Sequence, residues 1–125
     1  MKLPQELKYA KTHEWVKVLS EGHYEIGITD FAQKELGDIV YVALPEIGDE
    51  MEPGQDFGTV ESVKTSSDVY CPVDGTIEDI NTALADKPEA INEDAYGAWL
   101  VRVSGTLVDD DLLTAGEYAE MIGAN

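Results

Sequence analysis

The chain has 125 residues, of which 43% are hydrophobic, and its formal net charge is −18 at pH 7. This charge argues against nucleic-acid binding, because phosphate neutralisation needs clustered lysine and arginine, and it disfavours anionic membrane surfaces. The length suits one domain that buries a hydrophobic core without metal or disulfide crosslinks. We therefore expect a single domain over residues 1–125.

The cysteine count and the N-terminal sequence bear on the compartment. Cys71 is the single cysteine, so an intrachain disulfide is excluded and a reducing compartment is favoured. The first twenty residues lack the apolar core of a signal peptide, and no apolar run approaches the length of a membrane span. We expect a cytoplasmic protein without a membrane anchor.

Most of the chain has the pattern of short β-strands separated by turns. A loose N-terminal segment is expected over residues 1–8. An Asp-Gly turn is expected at Asp74–Gly75, with Gly75 in a folding role. Alternating apolar residues and high β-propensity predict strands. The predicted strands cover 15–19, 23–28, 38–45, 57–63, 67–73, 76–80 and 98–103.

Three short helices are predicted, each after a residue that can cap its N-terminus. The first helix is expected to be capped by Thr29 or Asp30 and to end at Gly37. The second is expected to be capped by Asn81 and stopped by Pro88, and the third to be capped by Thr114 and to end at residue 122. Glu117 completes a capping box with Thr114 in the last of them. Many short strands with few short helices predict a mostly-β sandwich or barrel with peripheral helices.

The sequence isolates one lysine, Lys64, in an acidic region. Between Glu35 and Asp86 it is the only Lys, Arg or His, against thirteen Asp and Glu. If the flanking strands pair, Lys64 lies at the tip of a hairpin, with a free side chain on a stiff scaffold. A catalytic lysine needs desolvation or neighbouring positive charge, and neither is predicted here. The position instead suits a lysine that another enzyme modifies.

The motifs around Lys64 resemble a known family. "VESVKTSSDVY" resembles the lysine segment of the lipoyl-carrying H proteins of the glycine cleavage system. "THEWV", "IGITDFAQKELGDIVYVALPEIGDEM", "YCPVDGTIEDIN", "YGAW" and "EYAEMI" match further segments of that family in the same order. The resemblance covers roughly Tyr9 to Ile122, and its several ordered motifs are far more specific than one lysine in a turn.

The resemblance implies a fold, a cofactor and partners. The fold is expected to be a lipoyl-type barrel-sandwich hybrid of two antiparallel sheets, with short peripheral helices. Lys64 is expected to carry lipoate in amide linkage and to shuttle the aminomethyl group of glycine, without catalysis by the chain itself. The implied partners are glycine decarboxylase (P protein), aminomethyltransferase (T protein), dihydrolipoamide dehydrogenase (L protein) and a lipoyl- or octanoyl-attaching enzyme, and we expect a monomer.

Two acidic residues are candidates for secondary roles. Glu61 lies three residues before Lys64, where lipoyl-bearing domains often carry an acid that the attaching enzyme recognises. Glu14 falls in the "HEWV" match, which the family places near a pocket that shelters the loaded arm. His13 and His23 lack a third ligand at a diagnostic spacing, so no metal is expected.

Three other functions remain open at the level of the sequence. An H-like protein that relays octanoyl or lipoyl groups to other enzymes would share all of these motifs. A biotin carrier uses a similar fold, but that family flanks its lysine with methionines, whereas Val63 and Thr65 stand here. An unmodified β-rich interaction module would have the same strands and no acyl group on Lys64.

Overall fold

The structure is a computed structural model that describes residues 2–123. These residues form nine β-strands and four short helices. In chain order they are β1 (Lys8–Tyr9), β2 (Glu14–Ser20), β3 (His23–Ile28), α1 (Asp30–Leu36), β4 (Ile39–Ala43), β5 (Glu50–Met51), β6 (Gln55–Ser62), β7 (Ser66–Cys71), β8 (Val73–Ile80), α2 (Ala83–Asp86), α3 (Ala90–Glu93), β9 (Val101–Leu107) and α4 (Ala115–Ile122).

The strands make two antiparallel sheets, as the family resemblance implied. The larger sheet has the order β1-β2-β3-β9-β8-β5, and the smaller has the order β4-β6-β7. The main core lies between them, because alternate residues of each strand point inward. The fully buried side chains of this core include Ile26, Ile77 and Val103 from the larger sheet and Val60 and Val69 from the smaller.

A second, aromatic cluster holds the two ends of the chain together. Tyr9, Trp15 and Tyr118 are fully buried, and the Tyr9 and Tyr118 rings stack 4.9 Å apart. Within the predicted loose segment, Leu7 is buried in the same cluster and Lys8 begins β1, while Met1 lies outside the described residues. A single domain over 1–125 stays a prediction.

The predicted caps of the first and last helices are confirmed. The Thr29 hydroxyl accepts a bond from the Ala32 amide at 3.1 Å, so Thr29 rather than Asp30 caps α1. Thr114 and Glu117 form the expected capping box at the start of α4. No helix within residues 2–123 combines the length and the apolar character that crossing a membrane requires.

The predicted Asp-Gly turn is wrong. Gly75 lies inside β8, which runs unbroken from Val73 to Ile80, and it pairs with Gly105 of β9. A Cβ on Gly75 would lie only 1.8 Å from the carbonyl oxygen of Ser104. The glycine is therefore explained by the close approach of two strands, and no turn is involved.

Two further predictions on the middle of the chain need correction. The segment after Asn81 forms two one-turn helices, α2 and α3, because Pro88 interrupts the hydrogen bonding between them. Asn81 caps neither, because the N-cap positions are held by Thr82 and Glu89, and its side-chain amide instead donates to the Trp99 carbonyl at 2.8 Å. Trp15 is fully buried, whereas Trp99 is half-buried, with the Arg102 guanidinium 4.0 Å from its ring centroid.

Candidate functional site

Lys64 lies at the tip of the β6–β7 hairpin. The last paired residues are Glu61 and Ser66, so the turn begins one residue earlier than the sequence predicted. Lys64 is exposed, and in the described part of the chain its amine makes no ion pair. The predicted placement of the lysine on a tight hairpin is confirmed in its essentials.

The side chain of Ser62 organises this turn. Its hydroxyl oxygen accepts bonds from the Lys64 amide at 3.3 Å and the Thr65 amide at 3.1 Å. The same hydroxyl donates to the Thr65 carbonyl at 3.1 Å, and the Ser62 amide reaches that carbonyl at 2.7 Å. A single buried serine thus satisfies backbone groups of Lys64 and Thr65.

The turn is also attached to the rest of the smaller sheet. The Val63 amide donates to the Asp38 carbonyl at 3.0 Å, just before β4 begins. A Cβ placed on Gly37 would lie 3.7 Å from Cε of Lys64, so the aliphatic stem of the lysine passes the end of α1. The backbone of Lys64 is fixed from two directions, while its amine stays accessible.

We expect Ser62→Ala to loosen the turn without unfolding the protein. Three hydrogen bonds of the hydroxyl are lost, at a cost of about 1–3 kcal/mol in the free energy of unfolding. Amide hydrogen exchange at residues 63–65 should accelerate. The matched variant Ser67→Ala, at an exposed strand position, should leave this exchange at the wild-type rate; equal exchange in the two variants would refute the role of Ser62.

Glu61 lies beside the lysine on the outer face of the smaller sheet. It is exposed, and it is paired with Tyr41 of β4 on one side and Ser66 of β7 on the other. Its carboxylate is therefore available to a protein that approaches Lys64. This position is compatible with the recognition role that the sequence suggested, and that role stays a prediction.

Glu14 is placed very differently, because it is almost completely buried. It is 1% exposed, and its carboxyl group accepts bonds from the Thr12 hydroxyl and from the Tyr70 amide, the latter at 3.2 Å. Burial raises the pKa of Glu14 from 4.5 to about 7, although both of these hydrogen bonds work against the rise. Glu14 therefore connects β2 to the hairpin that carries Lys64.

This buried carboxyl group makes a testable contribution to stability. The folded chain holds the Glu14 proton up to about pH 7, whereas the unfolded chain releases it near 4.5. The contribution of Glu14 to the free energy of unfolding is therefore complete below pH 4.5. It is lost as the pH rises through 7, which lowers the free energy of unfolding by roughly 3 kcal/mol. Glu14→Gln cannot ionise, so its stability relative to wild type should rise by that amount between pH 4 and 8 in urea unfolding. A difference that does not change with pH would contradict this assignment.

A cavity of about 510 Å³ opens next to the hairpin tip. Thr65 and Ser66 line it beside Lys64, and Glu14 lines it from β2. Its apolar wall comes from both sheets and from α1, and consists of Ile28, Phe31, Ala32, Leu36, Val60 and Val69. Asp68 and Glu35 add two further carboxylates. The cavity thus combines an apolar interior with acidic groups, and the residues that directly follow Lys64 form part of its wall.

The structure brings in site residues that the sequence did not reveal. Thr12 donates to Glu14, and Phe31 lines the cavity, although neither has a local motif that predicts this. Ser62 was detectable in principle, because a serine just before a tight turn is a common turn-forming residue.

Among residues 2–123, no group of three or more His, Cys, Asp or Glu side chains is arranged to hold a metal ion.

The two-sheet fold with a lysine on an exposed hairpin defines a class of lysine-bearing β protein. Comparisons with known proteins show which family of this class the chain belongs to. A family model described as "Glycine cleavage H-protein" matches residues 7–125. The "Glycine cleavage system H protein" of Staphylococcus haemolyticus is 55% identical, over 98% of this chain and 99% of that protein. The protein of the same description from Halalkalibacterium halodurans is 54% identical, over 96% and 95%.

A solved structure gives the same result for the fold. The crystal structure of a glycine cleavage system H protein from Mycobacterium marinum has a TM-score of 0.90 and 43% identity, and the match covers 96% of this chain and 98% of that one. The chain belongs to the glycine cleavage H-protein family. The predicted barrel-sandwich hybrid and the family resemblance are both confirmed.

Proposed function

We propose that this chain is the lipoyl carrier of a glycine cleavage system, with lipoate in amide linkage on Lys64. The observation that carries the proposal is an exposed lysine amine, free of ion pairs within residues 2–123, on a turn that Ser62 and Asp38 hold in place, in a member of this family. The relay of acyl groups to other enzymes is not favoured, because the family model and the similar proteins are described by glycine cleavage.

The residues around Lys64 fit the proposed group. A lipoyl-lysine arm is long and apolar, and the adjoining cavity has an apolar wall of six side chains. When bound, the dithiolane supplies a sulfur that can accept the aminomethyl group derived from glycine. The chain positions the arm with the rigid turn and offers it a place beside the protein, so its own residues orient and shelter without reacting.

Glu14 and Glu61 receive distinct proposed roles. The Glu14 carboxyl group borders the cavity, where it is suited to accept a hydrogen bond from the amine of a loaded arm. Glu61 is exposed beside Lys64, where it is suited to contact the enzyme that attaches the lipoyl group. Both roles follow the family resemblance together with the positions of the two carboxyl groups.

The proposed partners act in turn on the carrier. Glycine decarboxylase loads the arm, aminomethyltransferase unloads it, and dihydrolipoamide dehydrogenase reoxidises it. Exposed carboxylates across a chain of net charge −18 favour fast encounters with partners that have basic surfaces. We further propose that the protein is non-catalytic, since the chemistry belongs to the cofactor and the partner enzymes. We also propose that it is a monomer of the cytoplasm.

Reconstitution of the pathway tests this proposal. The lipoylated chain is mixed with the three enzymes, glycine, tetrahydrofolate and NAD, and the formation of NADH is followed. We expect NADH formation to be saturable in the lipoylated chain and absent with the unmodified chain. If the lipoylated chain fails to support the reaction while an established H protein succeeds with the same enzymes, the proposed function is wrong.

A further inference from the structure

A β-bulge exposes apolar side chains next to Lys64. The pairing of β4 with β6 shifts between Ile39 and Tyr41, which leaves Val40 as an extra residue. Both Val40 and Tyr41 are exposed as a result, at 52% and 55%, and regular alternation resumes with the buried Val42. Bulges of this kind redirect side chains near functional sites.

A third apolar residue completes this patch. Val63 precedes the lysine directly and is 70% exposed, the most exposed of the large hydrophobic residues described. Its amide is bonded to Asp38, two residues before Val40, and the Cα atoms of Tyr41 and Glu61 are paired across the strands. We call these three side chains, Val40, Tyr41 and Val63, the tip patch.

Carboxylates border the tip patch. Glu61 lies between Tyr41 and the lysine turn, and Asp38 lies just before β4; both are exposed. An apolar centre with a charged rim is the usual organisation of a protein–protein contact. A partner of complementary character presents an apolar depression surrounded by lysine or arginine.

We propose that the tip patch is the docking surface for the enzyme that acylates Lys64; this inference rests on the proposed function. That enzyme must bring a carbonyl carbon into bonding contact with the Lys64 amine, so it must cover the residues that flank the turn. Every later partner reacts at the dithiolane end of the arm, many bonds from the Lys64 nitrogen, and forms no bond to that nitrogen. The acylating enzyme is therefore the partner that the position of the patch favours.

The reaction at the docked tip is an acyl transfer from an activated donor such as an acyl adenylate. The Lys64 nitrogen attacks the carbonyl carbon, the amide C–N bond forms, and the bond from that carbon to the adenylate oxygen breaks. AMP leaves with the bonding electron pair, and the lysine ammonium releases two protons on becoming the neutral amide. The tip patch takes no chemical part in this step and serves only to position the amine.

Steady-state acylation kinetics test the inference. A lipoate–protein ligase is supplied with ATP, Mg²⁺ and octanoate, and the product is quantified by intact mass for wild type, Tyr41→Thr, Val63→Thr and the double variant. Threonine keeps the strand propensity and removes apolar surface. We expect the double variant to lose about tenfold in kcat/KM, mainly through a higher KM, since docking rather than chemistry is weakened.

Val18→Thr is the matched control, because Val18 is 54% exposed but lies on β2 of the other sheet. It should retain the wild-type kcat/KM within about twofold, as expected for a contact outside the docking surface. Equal acylation of wild type and double variant, or an equal loss in Val18→Thr, would overturn the inference. A wild-type chain that is never acylated at Lys64 would instead overturn the proposed function itself.

Hydrogen exchange on the wild-type chain provides a measurement that needs no variant. The ligase is loaded with a non-transferable acyl-sulfamoyl adenosine and added to the unmodified chain. Protection at residues 38–43 and 61–66 would support the inference, and protection confined to other segments would overturn it. If the double variant is acylated normally but, once lipoylated, accepts the aminomethyl group slowly from glycine decarboxylase and glycine, the patch belongs to glycine decarboxylase and the inference is wrong.

Discussion

Lys64→Arg is expected to abolish lipoylation of the chain completely. The guanidinium of arginine keeps the positive charge and much of the length of lysine, but it stays protonated and is not a nucleophile for acyl transfer. The measurement is intact mass after incubation with a lipoate–protein ligase, lipoate and ATP. Wild type should gain one lipoyl group, and the variant should gain none.

This loss should be separable from any effect on folding. In the described residues the Lys64 amine makes no ion pair, and the turn is held by the side chain of Ser62 and the carbonyl of Asp38. The melting temperature should therefore remain within about 2 °C of wild type, as for most exposed substitutions. Lys17→Arg, at an exposed position of β2, is the matched control and should be lipoylated fully. A lipoyl group on Lys64→Arg would show that another lysine is the acceptor.

Gly75→Ala is expected to be strongly destabilising, although it adds only one methyl group. Its Cβ would lie 1.8 Å from the Ser104 carbonyl oxygen and 2.9 Å from Cα of Gly105, and both are backbone atoms of the paired strand. Backbone in the middle of a sheet cannot move aside as a flexible side chain can. We expect a loss of about 3 kcal/mol in the free energy of unfolding and a decrease of roughly 12 °C in Tm.

A second glycine provides the control for this prediction. Gly116 is an exposed residue of α4, and a Cβ added there would meet no heavy atom within 4 Å outside its own helix backbone and chain neighbours. Gly116→Ala should stabilise the protein by about 0.4–1 kcal/mol, since alanine lowers the entropy of the unfolded chain and favours helix. Urea unfolding of both variants gives the comparison. Similar stabilities for Gly75→Ala and wild type would mean that β8 and β9 are not as close as described.

The local parts of the site could be predicted from the sequence. The isolation of Lys64 among acidic residues and the strand patterns on either side of it predicted an exposed hairpin lysine, displaced by one residue from its observed place in the turn. The cap at Thr114 was also predictable, because a capping box is defined by residues three positions apart. Such features depend on neighbours in the chain, which a single sequence displays directly.

The features that could not be predicted depend on contacts between distant residues. Glu14 meets the amide of Tyr70 across 56 positions of sequence, and Gly75 meets Ser104 across two strands. The bulge at Val40 is equally hidden, since "DIVYV" reads as regular alternation and only the pairing with β6 shows the extra residue. Register and close strand approach are properties of the sheet, which local periodicity does not determine.

Peptide mass spectrometry of the wild-type protein purified from its own cells tests the central claim most directly. A protease that cleaves after glutamate cuts at Glu61 and Glu78 and releases residues 62–78, in which Lys64 is the only lysine. We predict that this peptide carries one lipoyl group on Lys64, and that no other lysine of the chain carries one. An unmodified Lys64 in cells that lipoylate their other carrier proteins, or a lipoyl group on a different lysine, would contradict the account.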